Sequence, residues 1–262
     1  MAIELTGFEL TSVTHDGVTR PMYRGGHGPA VIVIHEVPGI TPPVADFGRR
    51  LIAEGFTVFM PSLFGTPGKS KTIGYTLTSI ARACVSREFH CIALDKPSPI
   101  TNWLRALARE VHSELGVPGV GVVGMCLTGG FGLAMLLEPA VVAPVLSQPA
   151  VPFPVSRRHK ASLALSAADW TEVEQRVAEG CSVLGLRFTG DAGVPDERFA
   201  TLRDHLGDNF IAVEIDSSAD NEHGIGRSAH SVLTEDLVDN PGHPTQAALQ
   251  QTIGFLAARL KT

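Results

Sequence analysis

The chain has 262 residues, 44% of them hydrophobic and 18% charged, with a formal net charge of −6; this supplies enough apolar material for a large core and argues against a general nucleic-acid binder, which carries a basic excess. It has no like-charge block of a disordered tail, no apolar run of about 18 residues for a membrane span, and no basic-then-apolar signal region in its first residues, MAIELTGFEL. The expectation is one cytoplasmic domain over residues 1–262 whose cysteines, Cys84, Cys91, Cys126 and Cys181, are reduced thiols in neither a zinc-ribbon nor a Cys-x-x-Cys spacing.

Residues 3–13 and 18–24 alternate loosely and predict an antiparallel hairpin. Ala30 to Ile34 is a continuous β-branched run that suits a strand buried on both faces. Pro42 to Gly55 predicts a helix with Phe47, Leu51 and Ile52 on one face, and Thr57 to Met60 the next strand, which completes a βαβ unit with parallel strands. Gly65 to Ser70 reads as a loop and Ser79 to Ala93 as a helix. Ile100 to Leu115 repeats Leu104, Leu107, Val111 and Leu115 at helical spacing. Strands follow at Val120–Val123, Val141–Leu146, Val183–Phe188 and Phe210–Ile215, separated by helices at Gly130–Leu137, Thr171–Glu179 and Glu197–Leu206 and closed by one at Gln246–Leu260. Alternation of this kind predicts a mostly parallel, doubly wound α/β sheet with helices on both faces.

Gly124-Met125-Cys126-Leu127-Thr128-Gly129 follows one of those strands and opens a helix. A nucleophile at a sharp strand-to-helix turn needs small residues two before and three after it, and Gly124 and Gly129 stand there. At a helix start, backbone N–H groups favour thiolate and can hold a developing oxyanion. A cysteine nucleophile then calls for a base and an orienting acid. Asp191 lies just past the strand that ends at Phe188, in the order nucleophile, acid, histidine that such folds use. The histidines after the last strand are His223, His230 and His243, and periodicity does not choose between His223 and His230.

Three segments resemble the dienelactone hydrolase family, whose members have the α/β-hydrolase fold: Ile34-His35-Glu36-Val37-Pro38-Gly39-Ile40, Gly124-Met125-Cys126-Leu127-Thr128-Gly129-Gly130 and Gly190-Asp191-Ala192-Gly193-Val194-Pro195. Ala229-His230-Ser231-Val232 fits the family's histidine segment better than Glu222-His223-Gly224. The resemblance implies a hydrolase that cleaves a small ester or lactone through Cys126, His230 and Asp191 and a thioester acyl-enzyme; no cofactor is expected, since the sequence has neither His-Glu-x-x-His or clustered Cys/His spacing for zinc nor Gly-x-Gly-x-x-Gly for a nucleotide. It further implies oxyanion amides at Val37 and Leu127, and a Glu36 that contacts the resting Cys126 thiol and moves when substrate binds. Two departures stand out. Thr128 occupies an elbow position where the family commonly has glycine, and Val232-Leu233-Thr234-Glu235 lacks the arginine that members acting on carboxylate-bearing lactones carry after the histidine. Arg82 or Arg87 are the remaining candidates for a substrate-binding cation. Competing readings are a thiol-based redox protein that uses Cys126 and a non-catalytic binding protein on the same fold.

Overall fold

A computed structural model describes residues 4–85, 99–151 and 156–261, with the backbone alone for 82–85. Eight strands form one sheet: β1 (Glu9–His15), β2 (Val18–Gly25), β3 (Ala30–Ile34), β4 (Thr57–Pro61), β5 (Val120–Met125), β6 (Val141–Ser147), β7 (Val183–Phe188) and β8 (Phe210–Ile215). Their order across the sheet is β1-β2-β4-β3-β5-β6-β7-β8. β2 is antiparallel to both its neighbours, and β4, β3, β5, β6, β7 and β8 run parallel.

Period-two alternation decides the layers. Along β3, Ala30, Ile32 and Ile34 face one core, which α3 (Pro99–Leu115) covers with Ile100, Leu104, Leu107 and Val111. Val31 and Val33 face the other, which α1 (Pro42–Ala53) covers with Val44, Phe47 and Leu51 and the closing helix (Pro244–Leu260) covers with Leu249, Ile253 and Leu256. Both faces of the central strands are buried, which is why they read as continuous apolar runs.

The structure departs from the predicted elements where a side chain caps a helix earlier than periodicity suggests. β1 starts late because Gly7 sits at φ +89° and Phe8 N–H donates to Leu5 C=O at 3.0 Å, a turn that delays pairing. α2 (Ile73–Val85) begins six residues before the expected Ser79, where the Thr72 hydroxyl accepts from Tyr75 N–H at 3.2 Å; the expected stretch 86–93 lies outside the described residues. The elbow helix is a 3-10 turn (Cys126–Thr128), α4 (Gly129–Ala134) and a second 3-10 turn (Met135–Leu137). A short α5 (Arg157–Ala161) was not legible from periodicity. α6 (Ala167–Ala178) starts at a capping box that Ser166 makes with Asp169, ahead of the expected Thr171. α7 (Asp196–Leu206) and α8, the closing Pro244–Leu260, lie within two residues of expectation.

Register lines up the carboxyl ends of the strands. Ile34 pairs with Gly124, Met125 with Ser147, Ser147 with Leu186, and Phe188 with Ile215. The loops after β3, β5, β6, β7 and β8 therefore meet along one edge, where open α/β sheets bind ligands.

Candidate active site

Cys126 is the first residue past β5 and sits at φ +57°, a region that L side chains rarely adopt. Close packing under it leaves room only for glycines. A Cβ on Gly124 would lie 2.4 Å from the Thr128 carbonyl oxygen and 3.2 Å from the Gly129 Cα; one on Gly129 would lie 2.5 Å from the Pro149 Cα. Both obstacles are backbone, so neither yields to a rotamer change. Gly124→Ala should therefore open the turn, lower stability by about 2 kcal/mol and cut turnover of any ester substrate at least about tenfold, as urea melts and initial rates will show.

Thr128, the departure in the elbow, does not crowd the turn. Its fully buried hydroxyl accepts from Met125 N–H at 3.0 Å and lies 2.8 Å from the carbonyl of Ile34, 2.8 Å from that of Met125 and 3.2 Å from that of His35. A threonine here braces the elbow against the segment that leaves β3, the segment that carries Glu36 and Val37.

His35 braces the same segment from the other side. Its buried ring bonds Glu36 C=O through Nδ1 at 2.9 Å and accepts Leu63 N–H at Nε2 at 3.0 Å. This pairing requires the neutral Nδ1–H tautomer. Burial lowers its pKa to about 4, against a smaller raising effect from the bond to Glu36. Between pH 4 and 6.5 the unfolded chain then binds the proton that the folded chain refuses, so stability falls as pH drops through that window. The loss from this group amounts to about 3 kcal/mol. Urea denaturation across the window should show this slope, and His35→Asn should flatten it.

Asp191 and His230 meet at the same edge. Asp191 is buried in the loop after β7, where its Oδ1 accepts Gly193 N–H at 2.8 Å and its Oδ2 pairs with His230 Nδ1 at 2.6 Å. Cys126 lies close enough to the His230 ring to raise its pKa. Burial pushes the His230 imidazolium down, but the charge of and bond to Cys126 and the bond to and charge of Asp191 outweigh it, and its pKa lies well above 6.5. The histidine loop is held by Asp236, whose Oδ2 accepts the N–H groups of His230 and Ser231 at 2.9 and 2.8 Å. His223 is elsewhere, exposed and edge-on to His243 at 5.3 Å between ring centroids. His243 itself caps α8 by accepting Thr245 N–H.

Other positioning residues carried no sequence signal. Arg198 is fully buried and donates to four carbonyls: Ser162 at 2.8 Å, Pro149 at 2.9 Å, Gly193 at 2.7 Å and His159 at 3.0 Å. It ties the loop after β6 to the acid loop, and burial pushes its pKa down to about 10 despite the nearby charges of Asp191 and Glu197. Arg187, nearly buried on β7, donates to Val194 C=O at 2.9 Å and to Glu214 at 2.6 Å, and so fixes the far side of that loop.

Glu36 corrects an expectation. The hydrogen bonds of its buried carboxylate go elsewhere than to Cys126: Oε2 accepts from the Ser231 hydroxyl at 2.7 Å and from Gln148 Nε2 at 3.3 Å, and Oε1 accepts from the Thr234 hydroxyl. Three neutral donors satisfy oxygens that burial would otherwise leave unpaired. Val37 is buried beside it, and Leu127 lines a pocket with Phe131, Ala134, Ala150, Val151 and Leu163 that Arg105 and Arg198 also border. Arg82 lies on α2 with its side chain outside the description, and Arg87 lies outside the described residues.

The strand order, the sharp turn after β5 and the ligand edge built from five loops define a hydrolase of the α/β-hydrolase fold. The family model of the dienelactone hydrolases matches residues 18–258, and the chain belongs to that family. Comparison with curated proteins gave no match. Solved structures agree on the fold. A candidate dienelactone hydrolase from Klebsiella pneumoniae subsp. pneumoniae MGH 78578 is 19% identical at a TM-score of 0.65, over 95% of this chain and 98% of that one. A dienelactone hydrolase from Anabaena variabilis ATCC 29413 is 16% identical at 0.61, over 97% and 98%. A dienelactone hydrolase-like promiscuous phosphotriesterase from metagenomic libraries is 15% identical at 0.62, over 97% and 98%. Among the described residues, no helix is long and apolar enough to cross a membrane.

Proposed function

We propose that the protein hydrolyses a small carboxylic ester or lactone, with Cys126 as nucleophile, His230 as base and Asp191 as its orienting acid. The observation that carries this reading is the imidazole of His230, bonded through Nδ1 to Asp191 at 2.6 Å and close enough to Cys126 for that side chain to raise its pKa. That arrangement takes the thiol proton and directs the sulfur at a carbonyl carbon.

The Cys126 thiolate adds to the carbonyl, and the amides of Val37 and Leu127 receive the oxyanion; the brace from Thr128 to the segment after β3 supports this pairing of loops. The His230 imidazolium gives its proton to the leaving alkoxide and a thioester remains. His230 then takes a proton from water, the hydroxide adds to the thioester, and collapse releases the acid and returns the proton to the pair. Asp191 holds Nδ1–H throughout, so Nε2 does the proton work.

A screen with short-chain p-nitrophenyl esters, quenched in acid and analysed by mass spectrometry, tests this. The expected result is turnover with an acyl adduct on the Cys126 peptide. Turnover that persists in Cys126→Ala, or no turnover of any ester or lactone, would overturn it.

A further inference from the structure

The reaction above uses the Val37 amide, and Thr128 and His35 brace the start of the loop that carries it. The far end of that loop rests against a side chain from α2. We propose that Tyr75 is a positioning residue for the oxyanion amide of Val37 and acts through the loop after β4; this rests on the hydrolase reading above.

Two glycines mark the junction. The loop after β3, residues 35–41, meets the loop after β4, residues 62–72, backbone to backbone. A Cβ on Gly65, which sits at φ +79°, would lie 2.0 Å from the Pro38 carbonyl oxygen; one on Gly39 would lie 3.1 Å from the Phe64 carbonyl oxygen. The Tyr75 hydroxyl stands at the same point, 2.7 Å from where the Gly65 Cβ would be and 3.4 Å from that of Gly39. Its oxygen accepts Thr66 N–H, and its O–H donates to Thr66 C=O at 3.4 Å. The seam continues where Gly68 N–H donates to Ile40 C=O at 2.7 Å. The phenol is itself held. Tyr75 N–H donates to the Thr72 hydroxyl at 3.2 Å at the start of α2, and Lys69 Nζ stands 4.2 Å from the centre of the ring.

The consequence follows from the peptide plane. Glu36 C=O and Val37 N–H share one plane, and His35 Nδ1 holds its carbonyl side at 2.9 Å. Its other end runs on into Pro38 and Gly39, which lean on Gly65. Without the phenol oxygen, Thr66 N–H loses its acceptor, the seam at Pro38 slackens, and the Val37 amide turns away from the oxyanion. An oxyanion donor acts on charge that develops only in the transition state, so its misalignment costs rate and not substrate affinity.

Tyr75→Phe keeps the ring and its contact with Lys69 and removes one oxygen. In the absence of any ester, hydrogen exchange read by NMR at the Thr66 and Gly68 amides should speed up about tenfold. With p-nitrophenyl acetate, kcat and kcat/KM should fall together by about tenfold or more. Alkylation of Cys126 by iodoacetamide, a displacement that builds no oxyanion, should keep its wild-type rate. Gly65→Ala, which pushes on Pro38 from the other side, should give the same pattern of rates. Unchanged exchange, a loss confined to melting temperature, a rise in KM alone, or alkylation slowed as much as ester turnover would each overturn the proposal. Wild-type protein without ester turnover would sink the hydrolase reading and this use of the loop together, with exchange still reporting whether Tyr75 pins the junction. Wild-type turnover that Tyr75→Phe leaves unaffected would sink the positioning role alone.

Discussion

Cys126→Ala is expected to lower kcat/KM on any ester the protein turns over by about 10⁴-fold or more, with melting temperature nearly unchanged. The stability half of that expectation follows from the backbone. Position 126 stays at φ +57° whichever side chain it carries, so alanine inherits the strain that cysteine bears and removes only a half-buried sulfur. Glycine would relieve the strain, and Cys126→Gly should be more stable than wild type by about 1 kcal/mol while equally inactive. Such a gain on losing the cysteine would support the proposal that the fold holds it for chemistry. His230→Ala should cost about the same activity, and the double variant no more than either alone, because a nucleophile and its base act as one unit. Ester turnover by Cys126→Ala within tenfold of wild type would end the assignment of the nucleophile.

Most of the scaffold was legible because a sheet buried on both faces writes itself as β-branched runs. Ala30–Ile34, Val120–Val123 and Val183–Phe188 were readable for that reason, and the glycines around Cys126 were readable because the turn admits nothing larger. Legibility failed where the deciding partner is far along the chain. Nothing local to His230 announces Asp191, 39 residues away, so spacing left His223 open until the loops were seen together. Glu36 was noticed, but its partners Ser231 and Thr234 lie 195 and 198 residues on. Arg198 was invisible for a different reason: a buried guanidinium whose acceptors are all backbone carbonyls pairs with no particular residue type. Thr128 stood out only as a departure from the family's glycine, whereas its role comes from a hydroxyl aimed at the segment after β3.

Asp191→Asn separates orientation from charge at the acid position. Asp191 Oδ1 accepts Gly193 N–H at 2.8 Å, and only an oxygen can accept there. The asparagine carbonyl oxygen must take that place, which turns its NH₂ toward His230 Nδ1. A donor facing Nδ1 forces the imidazole proton onto Nε2, the tautomer that cannot receive the thiol proton. Geometry is preserved and the base is disabled, so kcat should fall about 10³- to 10⁴-fold with little change in KM. The bond to and charge of Asp191 also raise the His230 pKa, so their loss lowers it and weakens His230 as the base for Cys126. Alkylation of Cys126 by iodoacetamide should therefore slow in Asp191→Asn as well, although iodoacetamide needs no proton from His230. If kcat fell while alkylation kept its wild-type rate, Asp191 would serve the tautomer alone.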